Sequence, residues 1–319
     1  MAVYTDVAFV DLELLLTRYD IGTARSFKGI AEGVENSNFI LQTDHGSFIL
    51  TLYEKRVSAS DLPFFIALLK HLAARGIRCP VPQKARDGAD WVTVNGKPAA
   101  ILSWLDGLSL QHPDRAHCAA AGAALAELHE AGHDFPLVRA NSLGLADWSK
   151  LATATQSRAS SVHPGLSEIV LSSLADLQSS WPHNLRRGII HADLFPDNVL
   201  FMDGAVSGLI DFYFACNDFY AYDLAVMLNA WCFESDGTYN VANGGSLIAA
   251  YRERRALDAA EIAALPVLAA GAALRFLLTR LNDWLDHDPS TLVRPKDPRE
   301  FAKRLMFHRQ VRSAEEYGL

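Results

Sequence analysis

The sequence predicts an α+β chain of two lobes, an N-terminal antiparallel sheet lobe with one inserted helix and a larger, mainly helical C-terminal lobe. Three observations carry this. Hairpin patterns fill the chain up to Leu102, the character changes across Ser103 to Gly107, and beyond that the chain reads as helices around one strand-like island, Ile189 to Phe212. The expected divisions are therefore 1–102, a connecting segment 103–107, and 108–319.

Phe9 to Tyr19 opens the chain as a helix, with Phe9, Leu12, Leu15, Leu16 and Tyr19 at helical spacing. Gly29-Ile-Ala-Glu-Gly33-Val-Glu-Asn-Ser-Asn38 is rich in turn formers and leads into Phe39–Thr43. Asp44-His-Gly46 then turns the chain into Ser47–Tyr53, a β-hairpin. Asp61 to Arg75 repeats apolar residues as a helix does, and Gly76 is placed to end it. Pro80 and Pro82 break the chain before a second hairpin, Trp91–Val94 and Pro98–Leu102 around Asn95-Gly96. In the second half, His117–Ala131, Leu166–Trp181 and Leu257–Leu285 read as helices, the last expected to be split by Pro266.

The 319 residues suffice for two domains at roughly 100–200 residues each. Half are hydrophobic and 21% are charged, an ordinary balance for a packed core. The net charge of −8 argues against a nucleic-acid or membrane-surface partner, which would want a basic face. It leaves a phosphate-bearing ligand open, because magnesium can hold phosphate without excess lysine. The N-terminus lacks the basic start and apolar run of a signal peptide, and no uninterrupted apolar stretch reaches about 18 residues, so a cytoplasmic chain is expected. Cys79, Cys118, Cys216 and Cys232 lie far apart with no Cys-x-x-Cys pair, and reduced thiols are expected.

The island carries the chemistry. Gly188-Ile-Ile-His191-Ala-Asp193-Leu-Phe-Pro-Asp197-Asn198 places a carboxylate and an amide five residues apart on one loop. Val199–Met202 and Val206–Ile210 flank Asp203-Gly204, a tight hairpin that returns Asp211 beside the loop, 18 positions after Asp193. Phosphoryl transfer needs an aligned nucleophile and neutralised phosphate charge rather than covalent help. Asn198 and Asp211 supply oxygens of the kind magnesium takes, and Asp193 is left to accept the proton of an attacking hydroxyl. His191 is expected to pin the loop through a hydrogen bond. The structural alternative is a carboxylate and amide cluster that only braces two loops.

With these residues the chain resembles the protein-kinase-like superfamily and, within it, the aminoglycoside phosphotransferase group. That group's His-x-Asp-x-x-x-x-Asn loop and following metal aspartate match His191, Asp193, Asn198 and Asp211, and Asp223-Leu-Ala225 looks like its structural helix start. The resemblance implies ATP and Mg2+. Only 11 residues separate Asp211 from Asp223, too few for the activation segment of a protein kinase, and Tyr213 replaces the glycine of Asp-Phe-Gly. Both points favour a small-molecule substrate.

On the nucleotide side, the resemblance puts Gly29, Gly33, Asn36 and Asn38 in the phosphate-covering segment, and Ser103, Trp104 and Leu105 at an adenine-binding hinge. The strand position where kinases carry a Lys holds Thr51, and the helix expected to supply its Glu partner, Asp61–Arg75, has no Glu. Losing both partners together avoids an unpaired buried charge. Lys28, Lys55 and Arg56 are candidate substitutes.

Over its whole length the pattern is most similar to a branch of the group whose members phosphorylate the side-chain hydroxyl of L-homoserine, on the way to threonine. The shared stretches include Phe48-Ile-Leu-Thr-Leu-Tyr-Glu54, Ile190–Leu200 and Ala273-Leu-Arg-Phe276. An amino-acid carboxylate wants an Arg fork, and Arg275 beside the stripe Leu274, Leu277, Leu278, Leu281 and Leu285 is the candidate, with Asp218 facing the ammonium. Arg280 and Asp283, three apart, are expected to form a surface pair. The rival readings are a choline, ethanolamine, methylthioribose or aminoglycoside kinase, a silent nucleotide-binding pseudokinase, and a metal-dependent hydrolase. The last is disfavoured because no His-x-His or His-Glu-x-x-His occurs.

Overall fold

A computed structural model describes residues 5–30, 36–54, 60–288 and 294–319. Gly33, Lys55 and Arg56 lie outside the described residues. The chain divides into two compact units, the first running to Asp106 and the second beginning at Gly107.

The first unit is a five-stranded antiparallel sheet of order β1-β2-β3-β5-β4, made of β1 (Ala24–Gly29), β2 (Ser37–Thr43), β3 (Gly46–Leu52), β4 (Val92–Val94) and β5 (Lys97–Ser103). Both expected hairpins form. The β4–β5 turn is Asn95-Gly96, with φ of 48° and 75°, the pair of left-handed residues a two-residue turn requires. Alternation along the strands sends Phe39, Leu41, Leu50, Leu52 and Ile101 to one face. There they meet Leu12, Leu15 and Leu16 of α1 (Phe9–Leu16) in one buried cluster. Helix α1 is shorter than its apolar spacing predicts: Tyr19 leaves it to bridge Ala85. Helix α2 (Leu62–Ala74) follows β3, and Gly76 takes φ +88° just past it. Strand β1 is not announced by the pattern, because Arg25, Ser26 and Lys28 are exposed.

The second unit holds α3 (Arg115–Ala131), α4 (Leu145–Val162), α5 (Leu166–Ser180), β6 (Arg187–Ile190), β7 (Val199–Met202), β8 (Ala205–Leu209) and β9 (Cys216–Phe219). Helices α6 (Tyr220–Trp231), α7 (Val241–Arg254), α8 (Ala259–Leu285) and α9 (Arg299–His308) complete it. Strands β7 and β8 form the expected hairpin, with Asp203 and Gly204 at positive φ, and β6 pairs with β9. Helix α3 runs close against α7: a Cβ at Gly122 would lie 2.3 Å from the Leu247 carbonyl oxygen.

Helix α8 is the centre of this unit, packed by α4, α5, α6 and α9. It corrects an expectation, since Pro266 lies inside one continuous helix and does not split it. A helix-interior proline costs about 3 kcal/mol. Against that, Leu265, Leu268, Leu274, Leu277, Leu278 and Leu281 are all 0% exposed, and each such burial contributes about 1.5–3 kcal/mol. By length and composition α8 passes the test for a membrane span, but 67% of its apolar window is buried within the fold, as suits a core helix. Its Arg280 pairs with Glu300 of α9 at 2.7 Å, so the expected pairing with Asp283 gives way to an interhelical one. The four cysteines are free thiols, all buried.

Candidate active site

The chain leaves β6 at Ile190 and enters a loop with no ladder to hold it, so side chains hold its backbone. Asp223, 0% exposed on α6, accepts the His191 N–H at 2.7 Å and the Ala192 N–H at 2.8 Å. His191, also fully buried, donates from Nε2 to the Ile210 carbonyl at 3.0 Å, while its Nδ1 accepts the Asp193 N–H at 3.3 Å. One neutral imidazole thus joins the amide of Asp193 to the peptide just before Asp211. Burial lowers the His191 pKa, which fits that tautomer. The expected pinning role for His191 is what the geometry supplies.

Asn198 closes the loop. Its Nδ2 donates to the Asp193 carbonyl at 2.8 Å and lies 3.4 Å from the Asp193 carboxylate, and its own carbonyl accepts the Ile210 N–H at 3.0 Å. The amide nitrogen is committed to the loop, so Oδ1 is the atom left for a hard cation. Asp211 sits at φ +65° at the start of the short 3-10 turn Phe212–Phe214. Asn198 and Asp211 are therefore two oxygen donors of the kind magnesium takes, on adjoining segments. Among the described residues no group of three or more His, Cys, Asp or Glu side chains gathers around a metal position. A magnesium carried on phosphates needs only one or two protein oxygens, so the donor set fits.

Asp193 is half-buried. Burial of its carboxyl pushes the pKa up to about 8; Arg275 opposes this, Asp211 and Asp197 add to it, and Lys296 opposes it. Lys296 stands 3.2 Å from Asp197 and over the Phe195 ring. Neither cation was singled out by the motif.

Behind the loop runs a directional chain of hydrogen bonds. Arg255 donates to the Tyr251 hydroxyl (3.3 Å), Tyr251 to His129 Nδ1 (2.8 Å), and His129 Nε2 to Asp223 (3.1 Å). Arg255 continues to Glu261 at 3.2 Å, and Glu261 to Arg186. Burial lowers the His129 pKa and keeps the imidazole neutral; burial also opposes ionisation of Asp223, but the hydrogen bonds it accepts from His129 and the His191 N–H outweigh this and lower its pKa.

The two substrate candidates, Arg275 and Asp218, both have partners within the fold. Arg275 is 2% exposed on α8, donates through Nη1 to the Ala192 carbonyl, and stacks on Phe276 at 4.4 Å. The buried guanidinium thus has a partner in the loop backbone that the sequence pattern does not show. Asp218 on β9 accepts from Asn141 Nδ2 at 2.8 Å and from the Phe219 N–H, so its carboxylate braces β9.

In the first unit, Thr51 is 1% exposed, faces away from the α1 cluster, and donates to Asn38 Oδ1 at 2.7 Å. Asn36 is 2% exposed and accepts the Glu54 N–H at 3.3 Å. Both asparagine side chains brace β2 against β3 and its continuation through their Oδ1 atoms. Gly29 ends β1 opposite Phe39. Ser103 is paired with Val81 through both its N–H (2.8 Å) and its hydroxyl (2.9 Å), and Trp104 Nε1 donates to Asp106 at 2.9 Å. Glu54, 8% exposed on its side chain, pairs with Lys97 at 3.2 Å.

A carboxylate, an amide and a second carboxylate on this loop and the turn after it are what a phosphotransferase needs. The model of the phosphotransferase enzyme family (APH) matches residues 26–257, and the chain belongs to that family. It is 58% identical over 319 residues, 100% of this chain and 99% of the relative, to a homoserine kinase of Xanthobacter autotrophicus. It is 57% identical over 318 residues, at the same coverage, to a homoserine kinase of Methylobacterium radiotolerans. Among solved structures, an amicoumacin kinase in complex with AMP-PNP and Ca2+ shares the fold at TM-score 0.72, 18% identity, covering 94% of this chain and 92% of that one. A choline kinase of Cryptosporidium parvum shares it at TM-score 0.66 and 14% identity, covering 94% of both chains.

Proposed function

We infer that this protein is an ATP-dependent homoserine kinase, transferring the γ-phosphoryl group of ATP to the side-chain hydroxyl of L-homoserine. The observation that carries the reading is full-length identity of 58% and 57% to two homoserine kinases, on a chain that carries Asp193, Asn198 and Asp211 at the kinase spacing. In the reaction as proposed, Asp193 accepts the hydroxyl proton as the new P–O bond forms. Asn198 and Asp211 would hold Mg2+, which when bound neutralises phosphate charge and opposes protonation of the nearby carboxylates. His191 keeps the base and the second carboxylate at fixed separation. For the nucleotide, we propose the Gly29 backbone and the Trp104–Leu105 backbone.

The test is ADP release with purified protein, ATP and Mg2+ across L-homoserine, choline, ethanolamine, methylthioribose and kanamycin. We expect L-homoserine to give the highest kcat/KM, and Asp193→Asn to lower its kcat by about 10²–10⁴-fold with the thermal midpoint retained. A higher kcat/KM for any other acceptor, or full activity of Asp193→Asn, would overturn the assignment.

A further inference from the structure

Ala192, the residue before the proposed base, is 1% exposed and sits at φ +64°, a left-handed conformation that alanine avoids. Such a backbone persists only where its surroundings over-determine it. Two charged side chains do so here, one on each side of the residue. Asp223 of α6 accepts the Ala192 N–H at 2.8 Å, and Arg275 of α8 donates through Nη1 to the Ala192 carbonyl. That carbonyl belongs to the peptide whose nitrogen is the amide of Asp193, so its orientation sets the direction in which Asp193 leaves the loop.

The guanidinium is fixed from its own side as well. Phe276 lies 4.4 Å and Phe214 5.3 Å from it, and Leu274, Leu277 and Leu278 around it on α8 are 0% exposed. Its Nε is buried without a hydrogen-bond partner among the described residues. The hydrogen bond this buried guanidinium makes to the loop is the one to the Ala192 carbonyl.

We propose that Arg275 is a positioning residue, which together with Asp223 clamps the left-handed Ala192 and so fixes where Asp193 presents its carboxylate. This rests on the homoserine kinase reading, in which Asp193 is the base. It makes a separable prediction from a substrate fork: loss of the clamp lowers kcat and spares substrate binding, whereas loss of a carboxylate fork raises the KM for L-homoserine.

The experiment compares wild type, Arg275→Met, Arg275→Lys, and Arg275→Met combined with Ala192→Gly, with steady-state kinetics in ATP and L-homoserine and a thermal midpoint for each. Glycine takes a left-handed φ without the alanine penalty, so it relieves the need for the clamp. We expect Arg275→Met to lose about 10–100-fold in kcat, of the order a misplaced reacting group costs, with KM for L-homoserine changed less than about threefold. Arg275→Lys, which keeps one donor, should recover most of the loss, and Ala192→Gly should recover several-fold in the Met background. A tenfold or larger rise in KM with kcat retained would overturn the proposal in favour of substrate contact. So would wild-type kcat in Arg275→Met, or no recovery from Ala192→Gly. Should Arg275→Met fail to fold, Arg275→Gln, whose shorter side chain does not reach the Ala192 carbonyl, reads the same recovery with and without Ala192→Gly. The wild-type control separates the two ideas: no turnover of L-homoserine by wild type overturns the function, while unaffected turnover in the Arg275 variants overturns the clamp alone.

Discussion

The His191–Asn198 loop of the second unit and the sheet of the first unit position their residues by opposite means. The loop between β6 and β7 has no ladder, so its backbone groups are taken by side chains: Asp223 on two amides, His191 on the Ile210 carbonyl, Asn198 on the Asp193 carbonyl, Arg275 on the Ala192 carbonyl. In the sheet, Thr51 and Asn38 are opposite each other because β2 and β3 are in register, and their hydrogen bond is secondary to that pairing. Substituting an anchor should therefore damage the loop far more than substituting a cross-strand pair damages the sheet.

The largest effect should come from Asp223→Ala. It leaves two buried N–H groups without their acceptor and His129 Nε2 without its partner. Removing a buried, hydrogen-bonded charge costs about 3–5 kcal/mol, a fall of about 10 °C in thermal midpoint for a unit of this size. Because the anchored peptides adjoin Asp193, kcat should drop along with stability. A midpoint within about 2 °C of wild type would mean that the loop is held mainly by its own geometry, and the contrast with the sheet would fail.

The same contrast explains what could be read from the sequence. The roles proposed for His191, Asp193, Asn198 and Asp211 each need a side chain of fixed type on a short segment, so their spacing is legible. The partners that hold the loop come from far away: Asp223 lies 31 and 32 residues from the amides it accepts, and Arg275 lies 83 from Ala192. Helical periodicity placed Arg275 beside an apolar stripe, but nothing local says that a loop carbonyl lies opposite it. For a related reason, the pattern of a turn does not reveal that the Glu54 N–H and the Thr51 hydroxyl donate to Oδ1 of Asn36 and Asn38. Missed helices have a different cause. Helix α4 buries Trp148, Ala152, Thr155 and Ala159, mostly small residues at helical spacing that carry little hydrophobic signal.

The intermediate effect concerns pH. His129, His191 and His308 are all buried in the second unit, whereas the described histidines of the first sheet unit, His45 and His71, are not. Burial lowers the pKa of all three, His308 to about 3. In the unfolded chain each takes a proton near pH 6.5, and in the folded chain only well below that. Stability is thus fully present above about pH 6.5 and is lost as the pH falls toward 3, by about 1.4 kcal/mol per pH unit for each neutral-buried histidine. Asp193, with its carboxyl pushed up to about 8, acts in the opposite sense, so the thermal midpoint should be highest near about pH 7, decline as the pH rises through about 8, and fall more steeply between about 6.5 and 5. Amide exchange at pH 5.5 should open α3, α6 and α9, which carry or contact these histidines, before it opens β2–β3. Simultaneous opening of the sheet would show that the two units share one acid response.

Thr51→Val tests the other side of the contrast and should have the smallest effect. It removes the hydroxyl donor to Asn38 Oδ1 and keeps the shape of the side chain, at 1% exposure. The loss of one neutral hydrogen bond costs about 1 kcal/mol, while the β2–β3 ladder from Ser37–Leu52 to Thr43–Gly46 remains complete. A drop of about 2–4 °C with unchanged kcat and unchanged KM for ATP is expected. A KM for ATP raised tenfold would instead make the Thr51 hydroxyl a nucleotide ligand at the strand position where kinases carry a lysine. The sheet would then act through a side chain after all, as the loop does.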